Sequence, residues 1–187
     1  MVKRCSWAGP DKIYINYHDK EWGRPVYDDQ KLFEFLVLEG MQAGLSWITI
    51  LKKRENYRKL FAGLVPEVIA NFSDEKLNQL LTNPGIIRNR LKVYAIRQNA
   101  QAFLAVQREF GSFSKYIWQF VGGKPIKNNW QASSDNPART EISDSMAKDL
   151  KKRGFKFVGS TICYAFMQAV GMVNDHAIDC ICYLNAP

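Results

Sequence analysis

The sequence contains few cysteines and histidines and no long apolar run. Four cysteines among 187 residues are too few for a disulfide scaffold. The longest mainly apolar stretch, residues 157–173, is shorter than the roughly 20 residues that a membrane-spanning helix requires, so we expect it to form a buried helix. The first residues lack the apolar core of a secretory signal. We therefore expect a cytoplasmic protein with reduced thiols and no contact with a membrane.

The composition is typical of a globular domain, and the charge is strongly basic. The chain is 47% hydrophobic and 24% charged, which provides enough apolar side chain for a core, and we treat residues 1–187 as a single domain. The net charge of +8 is concentrated in three segments, 52–59, 88–97 and 148–156, each with a net charge of +4. Such clusters are typical of phosphate-backbone contacts, although solvated helix faces would produce the same pattern. The predicted phosphate contacts are Arg88, Lys151, Lys152 and Arg153.

Helical periodicity dominates the sequence, which predicts an all-α fold. The acidic pair at 28–29 can begin a helix that ends at Gly40 or Gly44, and Gly111 can end a long helix that starts near Asn89. Further helices are predicted over 47–61, with Ser46 as N-cap, over 74–81, with Ser73 as N-cap, and over 144–153, with Ser143 as N-cap. Residues 114–121 and 161–173 are also predicted to be helical. Residues 122–141 are rich in Gly, Pro and Asn. They form the one long irregular connection and are either a functional loop or poorly ordered.

A Pro-Gly turn joins two of the predicted helices over residues 80–92. Gly85 would let the backbone approach a ligand closely, and the amides that follow, beginning at Ile86, can point at a phosphate oxygen. Arg88 adds positive charge beside them. This pattern suits a phosphate contact, and an ordinary helix turn would also produce it.

The two histidines and two of the cysteines have spacings that could form a metal site. On a helix, His176 and Cys180 would share one face, and Cys5 and His18 would complete a tetrahedral Cys₂His₂ set. Cys182 could replace Cys180 as a ligand. Core histidines with reduced cysteines are the other interpretation, because the spacing of Cys5 and His18 is not that of a standard zinc finger.

One carboxylate falls where the helical pattern expects an apolar residue. Glu39 lies seven residues after Leu32 on the same stripe, so it should point toward the core, where an unpaired carboxylate is costly. An acid among aromatic rings suits a flat cation, which stacks while its charge is neutralised. The alternative is a glutamate at a helix end that tilts outward. The nearby aromatic residues are Tyr14, Tyr17, Trp22 and Trp47.

Several long runs together resemble the bacterial DNA-3-methyladenine glycosylases of type I, within the helix-hairpin-helix DNA glycosylase superfamily. The resemblance covers essentially the whole chain. The runs that carry it are YHDKEWGRP (17–25), LFEFLVLEGMQAGLSWITILKKRENYR (32–58), NPGIIRNRLKV (83–93) and KKRGFKFVGSTICYAFMQAVGMVNDH (151–176), with the paired Cys5 and Cys180.

The resemblance implies a helix-hairpin-helix fold, with the hairpin at about 74–97, and a structural zinc that joins segments 5–18 and 176–180. The implied zinc ligands are Cys5, His18, His176 and Cys180. The implied base-recognition carboxylate is Glu39, with Tyr17 and Trp47 in the pocket and Tyr14, Trp22 and Trp7 as its wall. Leu45 matches the residue that probes the gap left by an extruded nucleotide.

Two positions differ from the wider superfamily. Asn89 stands where bifunctional members have a Schiff-base lysine, and an amide cannot form the imine, so lyase activity should be absent. The aspartate one helix further on is also missing, and Glu109 is near that place without a clear alignment.

The expected reaction is hydrolytic excision of 3-methyladenine from double-stranded DNA, which leaves an abasic site. The nucleotide would be flipped out, because its glycosidic bond is otherwise out of reach. Two other interpretations are a non-enzymatic, zinc-stapled DNA-binding module and an alkylpurine glycosylase of broader range. We expect a monomer without an obligate protein partner.

Overall fold

The protein is described by a computed structural model, which covers residues 2–184. Residue 1 and residues 185–187 of the predicted single domain lie outside the described residues. Helices form most of the fold, as predicted. The α-helices are α1 (Lys12–Lys20), α2 (Asp29–Gln42), α3 (Trp47–Leu60), α4 (Pro66–Ile69), α5 (Asp74–Leu80), α6 (Arg90–Phe110), α7 (Phe113–Trp118), α8 (Glu141–Lys152), α9 (Ser160–Ala169) and α10 (Ile181–Leu184). Short 3₁₀ helices lie at Ser6–Ala8, Ala62–Leu64, Gln119–Val121 and Ser133–Asp135.

Side-chain and glycine caps begin and end several of these helices. The Asp28 and Asn89 side chains accept the backbone N–H groups of Lys31 and Lys92, at the starts of α2 and α6. The last residue of α6 is followed by Gly111, whose positive φ of 83° is the left-handed conformation that ends a helix. Local chemistry therefore sets both ends of the longest helix.

The predicted helical segment 114–121 is found as α7, which begins at Phe113, followed by the 3₁₀ helix Gln119–Val121. Two other predicted helix boundaries are wrong. The helix α8 is capped by Thr140, and Ser143 is the third helical residue that completes a reciprocal capping box with it. The helix α9 ends at Ala169 rather than at residue 173, because Gly171 turns the chain with φ of +69°.

A two-stranded parallel pair departs from the all-α prediction. It consists of β1 (Ile126–Lys127) and β2 (Val173–Asn174). The pairing begins at the Ile126 N–H, which donates to the Met172 carbonyl at 2.9 Å. The irregular 122–141 segment is thereby fixed to the chain that follows α9. Sequence periodicity also missed α1, α4 and α10.

The helix α2 lies at the centre and positions the candidate site. It packs against α3, α6, α7 and α9, and its residues from Leu32 to Met41 are buried except Glu34. Burial all round is typical of a central helix. Glu39 is therefore carried into the interior by the packing of its own helix.

The turn between α5 and α6 is held from below by α3. The Lys53 ammonium donates to the Pro84 carbonyl at 2.8 Å, and the Tyr57 hydroxyl accepts the Ile87 N–H at 3.0 Å. A Cβ on Gly85 would lie 2.9 Å from Asn83 Oδ1. A side chain at position 85 would therefore require the Asn83 and Asn56 side chains to move.

Within residues 2–184, none of the helices combines the length and apolar character needed to cross a membrane.

Candidate functional site

A cavity of about 280 Å³ opens beside the end of α2. It brings together all six residues that were predicted for a pocket, from four separate parts of the fold. They are Trp7, Tyr14, Tyr17, Trp22, Glu39 and Trp47. The cavity is thus formed by aromatic rings around one carboxylate.

Glu39 is the charged residue among the unsatisfied groups of this cavity. Its side chain is buried, and among the described residues its Oε2 atom has no hydrogen-bond partner. Burial raises the pKa of Glu39 to about 8. The Trp47 Nε1 donor is also buried and unpartnered within residues 2–184. Such atoms are costly in a folded protein, so the cavity favours a ligand that supplies positive charge and hydrogen-bond donors to Glu39 and a hydrogen-bond acceptor to Trp47 Nε1.

The aromatic walls hold one another at tilted and edge-to-face angles. The ring centroids of Trp7 lie 5.1 Å from Tyr14 and 4.9 Å from Trp22, and those of Tyr17 and Trp47 are 5.4 Å apart. Burial and the Glu39 carboxylate both raise the pKa of Tyr17, which keeps its hydroxyl protonated. The walls therefore offer flat faces for stacking and a hydroxyl for hydrogen bonding.

Five further residues line the cavity and were missed from the sequence. Gln42 lies one helical turn after Glu39 on α2, a spacing that could have indicated it. Asn136 and Pro137 come from the 122–141 connection. Of its two interpretations, a functional loop or a poorly ordered segment, the structure favours the functional loop. Ala165 and Gln168 lie on α9.

Asp175 was also missed, and it joins several of these elements. It is fully buried, and its Oδ2 atom accepts hydrogen bonds from the Tyr164 hydroxyl at 2.6 Å and from Gln168 Nε2 at 2.8 Å. Its Oδ1 atom accepts from Asn128 Nδ2 at 2.6 Å and Trp130 Nε1 at 2.8 Å. A carboxylate with four donors is well satisfied in the interior. No local pattern in the sequence identifies such a group.

The four predicted metal ligands lie together and are buried. One ligand atom from each of Cys5, His18, His176 and Cys180 lies within 4.8 Å of the others. The Sγ atoms of Cys5 and Cys180 are 3.5 and 3.6 Å from His176 Nδ1, and Cys180 Sγ is 3.4 Å from His18 Nε2. In a tetrahedral zinc site, bond lengths of about 2.3 Å to sulfur and 2.05 Å to nitrogen place these atoms about 3.6 Å apart. The donor set and its spacing therefore fit zinc.

Both histidines have the outer partners that metal-bound imidazoles use. His18 Nδ1 lies 2.8 Å from Asp19 Oδ1, and Arg4 holds that carboxylate with two nitrogens. His176 Nε2 lies 3.2 Å from the Trp22 carbonyl oxygen. These contacts orient each ring with its other nitrogen toward the cysteines.

Two details of the metal prediction are corrected. His176 and Cys180 are not on a helix: the segment between β2 and α10 is a turn that brings them together. Cys182 Sγ lies 3.8 Å from His18 Nδ1, the nitrogen that faces Asp19. Cys182 therefore lies on the outer side of His18, where it does not compete with Cys180 for a shared ion.

Some of the predicted DNA-contact residues have exposed side chains, and others are buried or partly buried. Leu45 is 41% exposed, and Arg88, Lys151 and Lys152 are exposed. The Ile86 side chain, by contrast, is buried, so its predicted phosphate contact would be made by the backbone amide. The partly buried Gly85 can offer only backbone.

Many charges in the basic segments have partners within the protein. Arg153 bonds Glu109 and Asp149 at 2.7 and 2.8 Å, which argues against the predicted phosphate contact. Arg54 pairs with Glu21 at 2.6 Å. The three segments are therefore not uniformly available to a polyanion.

Comparison with known proteins identifies the family to which this helical fold and its aromatic cavity with a buried carboxylate belong. The family model for methyladenine glycosylases matches residues 7–183. The chain is 52% identical to DNA-3-methyladenine glycosylase of Haemophilus influenzae over 182 residues, 97% of this chain and 98% of that protein. It therefore belongs to the methyladenine glycosylase family.

Solved structures agree over nearly the whole chain. The crystal structure of a 3-methyladenine DNA glycosylase I matches with a TM-score of 0.95 and 52% identity, covering 99% of this chain and 100% of that one. A variant of 3-methyladenine DNA glycosylase I in complex with 3-methyladenine matches with a TM-score of 0.93 and 39% identity, covering 95% and 96%.

Proposed function

We propose that the protein is a monofunctional DNA glycosylase that hydrolytically excises 3-methyladenine from alkylated double-stranded DNA in the cytoplasm. The single observation that carries this proposal is Glu39, a buried carboxylate with an unpartnered oxygen among the described residues, in an aromatic cavity. The family membership and the 3-methyladenine complex of a similar protein support it.

Glu39 would act through its charge. Methylation at N3 of a nucleotide in DNA leaves a fixed positive charge on the purine, and a carboxylate in a poorly solvated cavity attracts that charge strongly. Tyr17 and Trp47 would stack on the base, with Tyr14, Trp22 and Trp7 completing the walls. An unmodified adenine carries no such charge and gains little from the cavity.

The reaction needs no strong general acid from the protein. A water molecule forms a bond to the sugar carbon C1′ while the bond from C1′ to N9 breaks, and its electron pair neutralises the departing base. The water gives up its proton to solvent, and the products are free 3-methyladenine and an abasic site. This account agrees with the absence of the superfamily aspartate.

Asn89 supports a monofunctional enzyme. Its side chain caps α6 by accepting the Lys92 N–H at 3.0 Å. An amide cannot form the imine that strand cleavage requires.

Zinc would be held by Cys5, His18, His176 and Cys180. When bound, it supplies cross-linking of the two ends of the chain rather than chemistry at the base, because four protein ligands leave no open position. The His176 ring packs edge-to-face against Trp22, with ring centroids 4.6 Å apart, and the Trp22 carbonyl orients His176.

DNA would be held by the α5–α6 turn as a helix-hairpin-helix element. The backbone around Gly85 and the exposed Arg88 would contact phosphates, with Lys151 and Lys152 as further contacts. Leu45 would enter the space left by the flipped nucleotide.

The decisive experiment compares wild type with Glu39→Gln on methylated duplex DNA and identifies the released base. Glu39→Gln keeps the size of the side chain and removes its charge. A charge-assisted hydrogen bond is worth about 1.5–3 kcal/mol, so excision should slow by about one to two orders of magnitude, while affinity for undamaged duplex stays unchanged.

The control is Glu67→Gln, a substitution of the same kind at an exposed glutamate. It should excise like wild type. Release of no methylated base by wild type would contradict the glycosylase proposal, and equal rates for Glu39→Gln and wild type would contradict the role of the carboxylate.

A further inference from the structure

Two amide side chains line the cavity, and both are oriented by the same residue. Gln168 donates its Nε2 to Asp175 Oδ2 at 2.8 Å. Asn136 donates its Nδ2 to the Asp175 backbone carbonyl at 3.2 Å. Each amide has one donor end and one acceptor end, so its orientation is fixed when the donor end is taken.

Asn136 and Gln168 can therefore offer a ligand their amide oxygens, which are hydrogen-bond acceptors. Within residues 2–184, the Asn136 Oδ1 atom is buried and has no hydrogen-bond partner. The Gln168 Nε2 atom is committed to Asp175, which leaves Oε1 as the free end of its amide. Together with the Glu39 oxygen, the cavity therefore presents acceptors from α2, from α9 and from the 122–141 connection.

The rest of the network prevents Asp175 from turning. On its Oδ1 side, Trp130 Nε1 lies at 2.8 Å, and an indole nitrogen can only donate. On its Oδ2 side lie the Tyr164 hydroxyl and the Gln168 amide. Both oxygens of the Asp175 carboxylate accept hydrogen bonds, so the Gln168 amide can only donate to it.

We propose that Asp175 is a positioning residue that fixes the polarity of the cavity wall, so that the site selects a purine edge that donates hydrogen bonds. This inference rests on the proposed glycosylase function and extends it to the choice of base. Adenine has an amino group at C6, whereas guanine has a carbonyl oxygen there. 3-Methyladenine can donate to the acceptor wall, and 3-methylguanine would bring its oxygen against other oxygens.

Replacing Asp175 by Asn makes a specific prediction about Gln168. Because Trp130 Nε1 requires an acceptor, the new side chain keeps its oxygen on that side and turns its NH₂ group toward Gln168. The Gln168 amide then rotates to accept this hydrogen bond and offers Nε2 to the cavity. The part of the wall formed by Glu39, Asn136 and Gln168, which had presented acceptors, gains a donor.

The experiment measures release of 3-methyladenine and 3-methylguanine from duplex DNA treated with dimethyl sulfate, by chromatography of the freed bases. In Asp175→Asn the ratio of 3-methyladenine to 3-methylguanine excision should fall by about tenfold or more, because one buried hydrogen bond is exchanged for a mismatch. Titration of each variant with the two free bases should show the same shift in relative affinity.

Asn128→Ala is the matched control. It removes a donor from the other oxygen of the same carboxylate and leaves the Gln168 contact in place. It should lower thermal stability without changing the ratio, which separates a general loosening of the network from a change of wall polarity.

Gln168→Met provides a second test that does not alter Asp175, in case Asp175→Asn fails to fold. It removes the acceptor, so the ratio should fall here as well. Unchanged ratios in the folded variants would overturn this inference and leave the glycosylase proposal intact. Failure of wild type to release 3-methyladenine would instead overturn the glycosylase proposal itself.

Discussion

At the scale of single residues, the most informative feature is a carboxylate whose ionisation depends on its ligand. The unfolded chain ionises Glu39 near its ordinary pKa of 4.5, whereas burial raises its pKa to about 8 in the fold. This group therefore lowers stability progressively as pH rises from about 4.5 to about 8. A cationic base in the cavity would reverse that penalty, which makes the site selective for charge.

The pH dependence of excision should report this pKa. In the free enzyme the anionic form of Glu39 becomes predominant only above about pH 8, so kcat/KM for 3-methyladenine excision should rise with pH and level off near pH 8. Below that value the slope should approach tenfold per pH unit, because one proton must leave. Single-turnover and steady-state assays between pH 5.5 and 9 provide the measurement.

Glu39→Gln is the control for this profile. It has no ionisable group at the position, so its low kcat/KM should be flat over the same range. A flat profile for wild type, or the same rising profile in both proteins, would show that Glu39 does not control the pH dependence.

At the scale of elements, the end of α2 depends on a lysine from another helix. Lys92 is buried on α6, and its Nζ donates to the carbonyls of Met41 and Ala43 at 2.8 and 2.6 Å. These carbonyls lie at the C-terminus of α2, where backbone acceptors lack helical partners. Lys92 therefore fixes the segment that carries the cavity residue Gln42 and leads to the exposed Leu45.

Lys92→Met should destabilise the protein by about 1–3 kcal/mol. The substitution keeps an unbranched apolar chain but removes the donor, which leaves the α2 carbonyls without this hydrogen bond. Chemical denaturation measures the change. Lys76→Met, at an exposed lysine on α5, should change stability by less than about 0.5 kcal/mol. Equal stabilities of the two variants would contradict the capping role of Lys92.

The elements also show how far the sequence could predict the fold. Helix ends with local chemistry, such as Asn89 and Gly111, were predicted from the sequence. The end of α9 was missed, although the glycine at position 171 was a local signal for it. In the fold, a Cβ at this position would lie 2.2 Å from the Arg24 backbone carbon. Helix periodicity and caps are local properties, and they predicted the longer helices α2, α3, α6, α8 and α9 but missed α1, α4 and α10.

The candidate site was predictable only in part. Glu39 interrupts an apolar stripe, and the aromatic residues cluster near it in sequence, so a local pattern indicated them. Asp175 accepts hydrogen bonds from Asn128 and Trp130, which are more than 40 residues away. The pairing of β1 with β2 and the Ile178 N–H bond to the Trp130 carbonyl bring these side chains together, and two-residue strands leave no periodic signal.

At the scale of the whole molecule, the two ends of the described chain are fastened to each other. The Ile181 N–H donates to the Lys3 carbonyl at 3.0 Å, and the Lys3 ammonium pairs with Asp179. Cys5 lies against Cys180 and His176 in the same region. Because Tyr14, Tyr17 and Trp22 follow Cys5 in the chain, a link between the ends also supports the aromatic wall of the cavity.

A structural zinc in this region predicts loss of metal and stability together. His176→Ala or Cys5→Ala should release zinc, because either change removes one of four ligands, and metal-binding free energy is partly folding free energy. We expect a fall in Tm of about 10 °C, which corresponds to a few kcal/mol in a chain of this size. Elemental analysis of the purified proteins and thermal denaturation with and without a chelator measure the two effects.

Cys182→Ala separates ligand loss from a general effect of removing a cysteine. Its Sγ lies 3.8 Å from His18 Nδ1, on the side away from the cluster, so this variant should retain one zinc per chain and melt close to wild type. Because the ligands lie outside the cavity, His176→Ala should retain some excision at low temperature, where the fold persists. Full zinc content and unchanged Tm in His176→Ala and Cys5→Ala would show that these four residues form no metal site.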